Sequence, residues 1–234
     1  MLRQLRKDLR ASASAEKAKV LARFFKTGKG EYGEGDVFLG VMVPETRKVA
    51  KKYAGLPLNS INELLKSEIH EERLASLLIL VEKYKESQDK VMRFYLRNAK
   101  HVNNWDLVDL SAPNILGAYL LENKKERKIL DTLAKSGNLW ERRIAIVATY
   151  ALIRNQEYEE TFNIAEILLK DRHDLIHKAV GWMLREVGKR DEKAEEAFLK
   201  KHYKVMPKTM LRYAIERFSE KKRKEYLINS TKAY

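Results

Sequence analysis

The feature that most restricts this chain is a motif that returns about every 35 residues: a polar residue followed two positions later by a small one, inside an apolar segment. It occurs as Arg73 with Ala75, Asp109 with Ser111, Arg143 with Ala145, His177 with Ala179 and Arg212 with Ala214, the first members lying 36, 34, 34 and 35 residues apart. A helical hairpin with its turns occupies that length, so the spacing predicts stacked helix pairs. The small residue lets neighbouring helices approach closely. The polar one recurs at the same height, which predicts that Arg73, Asp109, Arg143, His177 and Arg212 line one surface, positive overall with one carboxylate near its middle.

The rest of the chain agrees with helices. Leu, Ala, Lys, Glu and Arg dominate, and ten Gly and four Pro are few for 234 residues. Apolar spacing predicts helices over 2–10 and 13–25, then a succession from Pro44 onward that includes 70–85, 104–110, 113–122, 124–135, 139–154, 174–189 and 207–218. Pro44, Pro57, Pro113 and Pro207 all fall near expected helix starts. No run alternates as a strand would. The expected organisation is one domain, 1–234, with N-terminal helices and a Gly-rich loop over 1–43 and helical repeats over 44–234.

That loop contains Gly28-Lys29-Gly30-Glu31-Tyr32-Gly33, which matches the bare pattern GxGxxG. A helix precedes it rather than a strand and no P-loop Gly-Lys-Ser/Thr follows, so the dinucleotide reading is rejected and the segment reads as a connector. His173 and His177 have metal-ligand spacing without the Glu of HExxH or a third ligand, so no metal and no cofactor are expected. There is no Cys, which excludes disulfides and thiolate chemistry. The charged N-terminus lacks the apolar core of a signal peptide, and no segment is long and apolar enough to span a bilayer, so a soluble cytoplasmic monomer located with the chromosome is expected.

The net charge is +14, from 47 Lys and Arg against 33 Asp and Glu. Such an excess attracts polyanions, nucleic acid first among them.

Three stretches carry candidate chemistry. In Asn103-Asn104-Trp105-Asp106-Leu107-Val108-Asp109 a helix beginning at Trp105 puts Asp109 one turn on, so indole and carboxylate share a face. Leu107, Val108 and Leu110 would hold that helix down, and Asp106 fits a cap. In Trp140-Glu141-Arg142-Arg143 the two arginines leave the helix about 100° apart. The repeat register turns Arg143 to the same surface as Asp109, to hold a phosphate or to pair with Asp109 itself. In Lys178-Ala179-Val180-Gly181-Trp182, Gly181 leaves room for the indole of Trp182 to swing outward, although core is the commoner place for such a residue.

Together these stretches resemble the DNA alkylation repair family, the AlkD-like DNA glycosylases. Gly35-Asp36-Val37-Phe38-Leu39-Gly40-Val41, His70-Glu71-Glu72-Arg73 and Met206-Pro207-Lys208-Thr209-Met210-Leu211-Arg212-Tyr213-Ala214 extend the resemblance over most of the chain. It implies an all-α, right-handed superhelical solenoid of HEAT-like helical hairpins whose concave face binds double-stranded DNA. It also implies hydrolysis of the N-glycosidic bond of cationic N3- and N7-alkylated purines without a base-flipping pocket; release of a cationic base needs no Lys nucleophile, so no strand cleavage is expected. Residue by residue, it makes Asp109 the catalytic carboxylate and packs Trp105 and Trp182 against the deoxyribose and backbone. Arg143 would hold phosphate. Arg73 and Arg212, from the positive surface that the repeat predicts, and Lys178 are expected as further DNA contacts. The competing expectation is a catalytically silent HEAT-repeat scaffold that binds unusual DNA structures or a protein partner.

Overall fold

The structure, a computed structural model, describes residues 1–231. Their contacts group into two compact units, one up to Ser111 and one from Ala112 onward.

The first unit contains α1 (Leu2–Ala11), α2 (Ala15–Phe24), α3 (Val43–Lys52), α4 (Leu58–Leu65), α5 (His70–Tyr84), α6 (Gln88–Arg97) and α7 (Trp105–Ser111). Its centre is α5, in which every residue from His70 to Leu80 is buried. α5 packs against α3, α4, α6 and α7, and this explains a helix covered on all sides, whereas α1 and α4 bury single stripes such as Leu5 with Leu9 and Ile61 with Leu64 and Leu65. α2 buries no residue.

The second unit opens on a π-helical turn, Pro113–Gly117. It continues through α8 (Ala118–Glu122), α9 (Ile129–Ala134), α10 (Leu139–Arg154), α11 (Glu159–Leu168), α12 (Asp174–Gly188), α13 (Glu192–His202), α14 (Lys208–Ala214) and α15 (Glu220–Thr231). α10 packs on α9, α11 and α12, and α12 packs in turn on α13 and α14. Each inner helix touches its own partner and its neighbours, the contact pattern of a helical-repeat stack.

The expected register appears in the small residues. Ala75, Ser111, Ala145, Ala179 and Ala214 are all fully buried, each on an inner helix of its unit. Pro44 lies in the first turn of α3, and Pro57 and Pro207 are the N-caps of α4 and α14. The fold departs from expectation in the segments 113–122 and 124–135, which are not single α-helices. The first starts as the π turn, and the second starts as a 3-10 turn, Lys124–Glu126, before α9. Among the described residues there is no strand, only an isolated parallel bridge between Val37 and Ile69.

Candidate active site

α7 is a short helix that needs outside support, and its sequence supplies it. Asn104, fully buried, accepts the Trp105 N–H on Oδ1 at 2.8 Å. Asp106, expected to cap, is turned elsewhere. Leu107 and Val108 are fully buried against α5, while Leu110 is only half-buried. Ser111 donates to the Leu107 carbonyl at 2.6 Å and lies 2.9 Å from the hydroxyl of Tyr95, which is itself fully buried. Burial pushes the Tyr95 phenol up, and the charge of Asp109 pushes it the same way. Trp105 and Asp109 stand half-buried one turn apart on the remaining face.

Trp105 is held in a slab of aromatic rings. It stacks on Phe25 with centroids 5.2 Å apart, meets Phe24 edge-on at 5.9 Å, and donates its indole N–H to Tyr32 at 3.2 Å. Phe25 in turn stacks on Phe38 and lies against His70. The Gly-rich segment is therefore more than a connector. It delivers Tyr32 to the indole and Asp36 to the buried network beneath it. Glu71, buried, anchors the end of that segment by accepting the N–H groups of Leu39, Gly40 and Val41 at 3.0, 2.8 and 3.1 Å. Gly40 takes φ of +81°, and a Cβ there would strike the backbone of Ser14.

The network itself consists of Asp36, His70, Arg73 and Asp106. His70 lies 3.3 Å from Asp36 and 2.8 Å from Asp106, while Arg73 pairs with Asp36 at 2.6 Å and donates to the Ser67 carbonyl at 2.7 Å. Burial alone would lower the His70 pKa, but the two carboxylates raise it above the ordinary histidine value. Asp36 is likewise held below the usual carboxylate range by His70 and Arg73, against the opposing pull of burial.

The geometry corrects the expected row of surface cations. Arg73 is 3% exposed and its terminal nitrogens are committed to Asp36 and the Ser67 carbonyl, so it is not the exposed surface cation that the repeat predicts. Arg143 is 5% exposed and donates to the Leu175 carbonyl at 2.6 Å, tying α10 to the first turn of α12. His177 is half-buried against the Asp171 carbonyl. Only Arg212 of the cations in the repeat is exposed. Sequence spacing fixes the height of a residue in its repeat but not whether a neighbouring segment covers it.

In the second unit, Trp182 is half-buried, with its N–H 3.3 Å from Glu186 and its ring 5.9 Å from that of Tyr150. Glu186 stays ionised in spite of burial because Lys189, Arg190 and Trp182 donate to it. The space at Gly181 belongs to α14 rather than to the indole: a Cβ there would meet the Met210 carbonyl and the Tyr213 Cβ. Lys178 forms a 2.7 Å pair with Asp174 on the same helix. Trp140 is core, and Arg142 pairs with Asp171 at 2.6 Å.

The family model for DNA alkylation repair enzymes matches residues 5–218. The chain belongs to this family. A solved structure described as a predicted DNA alkylation repair enzyme from Enterococcus faecalis is similar over 89% of this chain and 98% of its own, at 18% identity and a TM-score of 0.73. AlkD2 from Streptococcus mutans is similar over 94% of this chain and 97% of its own, at 19% identity and a TM-score of 0.57. At that identity the likeness is one of fold. No curated protein matches the sequence. Membership in the family gives the chain a role in DNA alkylation repair. No helix among the described residues is long and apolar enough to cross a membrane.

Proposed function

We propose that the chain is a monofunctional DNA glycosylase that releases cationic N3- and N7-alkylated purines from duplex DNA. The observation that carries this reading is the pairing of Asp109 with Trp105 one turn apart on α7, in a protein of net charge +14. A carboxylate on a DNA-binding face opposes phosphate, and it is suited to stabilising positive charge that develops beside it.

The chemistry requires little else. Alkylation at N3 or N7 makes the purine cationic, so the C1′–N bond breaks with the base leaving neutral and no general acid is needed. The sugar becomes oxocarbenium-like, Asp109 stabilises that charge, and water adds its oxygen to C1′ while its proton passes to solvent. The indole faces of Trp105 and of Trp182, the second indole assigned to the substrate backbone, favour a cationic neighbour by about 0.5–2 kcal/mol each. Arg212 and Lys178 are assigned to phosphates, and buried Arg143 to keeping α10 and α12 in register. No Lys nucleophile takes part, so no strand cleavage and no borohydride-trapped adduct are expected.

The test is release of free base from a duplex carrying one N7-methylguanine, by the wild type and by Asp109→Asn at equal DNA occupancy. Release that collapses in the variant, with binding kept or strengthened, supports the reading. Persistent release moves the chemistry away from Asp109, and no release by either protein despite tight binding leaves a DNA-binding scaffold.

A further inference from the structure

The first unit holds a polar cavity of about 210 Å³ that the proposed chemistry does not use, lined among others by Lys66, Ser67, Arg73, His101 and Asn103. Two buried atoms of this lining have no hydrogen-bond partner, the Nε of Arg73 and the Oδ1 of Asn103. Arg73 spends its terminal nitrogens on the Ser67 carbonyl and on Asp36, which leaves the Nε–H without an acceptor. An orphaned N–H in so buried a guanidinium is costly, and an acceptor in the cavity would remove the cost.

The surroundings specify the kind of acceptor. Lys66 is exposed, and neither it nor Lys100 nor His101 makes an ion pair among the described residues. Burial lowers the His101 pKa first, and the charges of Lys100, Lys66 and Arg73 lower it further, so the imidazole sits in a positive field. Three carboxylates also border the cavity. Asp36 is neutralised by Arg73 and His70, while Glu34 and Glu68 are exposed to solvent, Glu34 accepting the Gly30 N–H at 2.8 Å.

We propose that this cavity is a phosphate site, in which one oxygen accepts from Arg73 Nε and others meet Lys66 and His101. The Asn103 amide completes it by presenting its NH2 group, which a half-turn about its own axis brings inward. An anion held there reverses the field at His101, which takes a proton from solvent on binding. The phosphate is either free in solution or a phosphodiester of DNA. The second source rests on the glycosylase reading, since Asn103 lies two residues before Trp105.

The experiment follows the His101 ring by NMR in the full-length, histidine-labelled protein, with His101→Asn assigning its signal among the five histidines. Inorganic phosphate and undamaged duplex are added in separate titrations, each against chloride at equal ionic strength, to the wild type and to Lys66→Ala. The expected result is an upward shift of the His101 titration midpoint by about one unit, at least halved in Lys66→Ala. A shift with inorganic phosphate identifies a free ion as a sufficient ligand; a shift with duplex alone identifies the DNA backbone. No shift beyond chloride in either titration, or a shift undiminished in Lys66→Ala, overturns the proposal. Base release measured in parallel reports on the glycosylase reading separately.

Discussion

His70 Nε2 lies 2.8 Å from Asp106 Oδ2, so a buried imidazole on α5 is tied to the first turn of the helix that carries Trp105 and Asp109. The opposite ring nitrogen faces Asp36, at the end of the Gly-rich segment. One side chain thus joins three parts of the first unit. The link depends on charge: the two carboxylates favour the imidazolium, which in turn helps to hold Asp36 below the usual carboxylate range.

The pH dependence of that link has a definite sign. The folded-state pKa of His70 is raised above the unfolded value, near 6.5, so its stabilising contribution is complete below that value and is lost as pH rises through the folded one. His70→Gln is expected to cost about 3 kcal/mol at pH 6 and distinctly less at pH 9. Thermal denaturation of both proteins across this range checks it; an equal loss at both pH values would show that His70 acts through packing alone.

Glu195 depends on pH through a different cause. It is buried on α13 with Oε1 unpartnered, and burial, reinforced by Glu192, raises its pKa to about 8. The folded state therefore keeps a proton that the unfolded state releases, and stability declines as pH rises between the unfolded value and about 8. Glu195→Gln removes this decline. The variant should equal the wild type near pH 5 and exceed it in denaturation midpoint at pH 9, where the gap is read directly.

Tyr32 is expected to matter to activity more than to stability. Its hydroxyl accepts the Trp105 indole N–H at 3.2 Å, one of the contacts that set the tilt of the ring on Phe25. Tyr32→Phe should cost no more than about 1 kcal/mol of stability while reducing single-turnover base release several-fold. Unchanged release at equal occupancy would remove Tyr32 from the positioning of Trp105.

Gly181 marks the closest approach of α12 and α14. A Cβ there meets the backbone of Met210 and the Cβ of Tyr213, neither of which can rotate away. Gly181→Ala is expected to destabilise by about 1–3 kcal/mol. Gly137→Ala, where nothing lies within 4 Å of an added Cβ, should change stability by less than about 0.5 kcal/mol. Urea unfolding of the two variants side by side provides the comparison.

The all-helical class, the repeat and the placement of Trp105 with Asp109 on one helix face were legible in the sequence, because helical period and repeat length are local properties. Ala75, Ser111, Ala145, Ala179 and Ala214 show it most plainly: size and spacing alone sent all five to buried positions. The fate of the polar partners was not legible. Arg73, Arg143 and Arg212 look alike in the repeat, yet the first is sealed by Asp36 from a loop 37 residues upstream, the second by the end of a neighbouring helix, and the third is exposed. Tyr32 and His70 were likewise not singled out individually, since their partners Trp105 and Asp106 lie far along the chain. Sequence period determines which face of a helix a residue occupies. Burial, charge state and hydrogen-bond partners are set by whatever segment covers that face, and only the tertiary structure decides that.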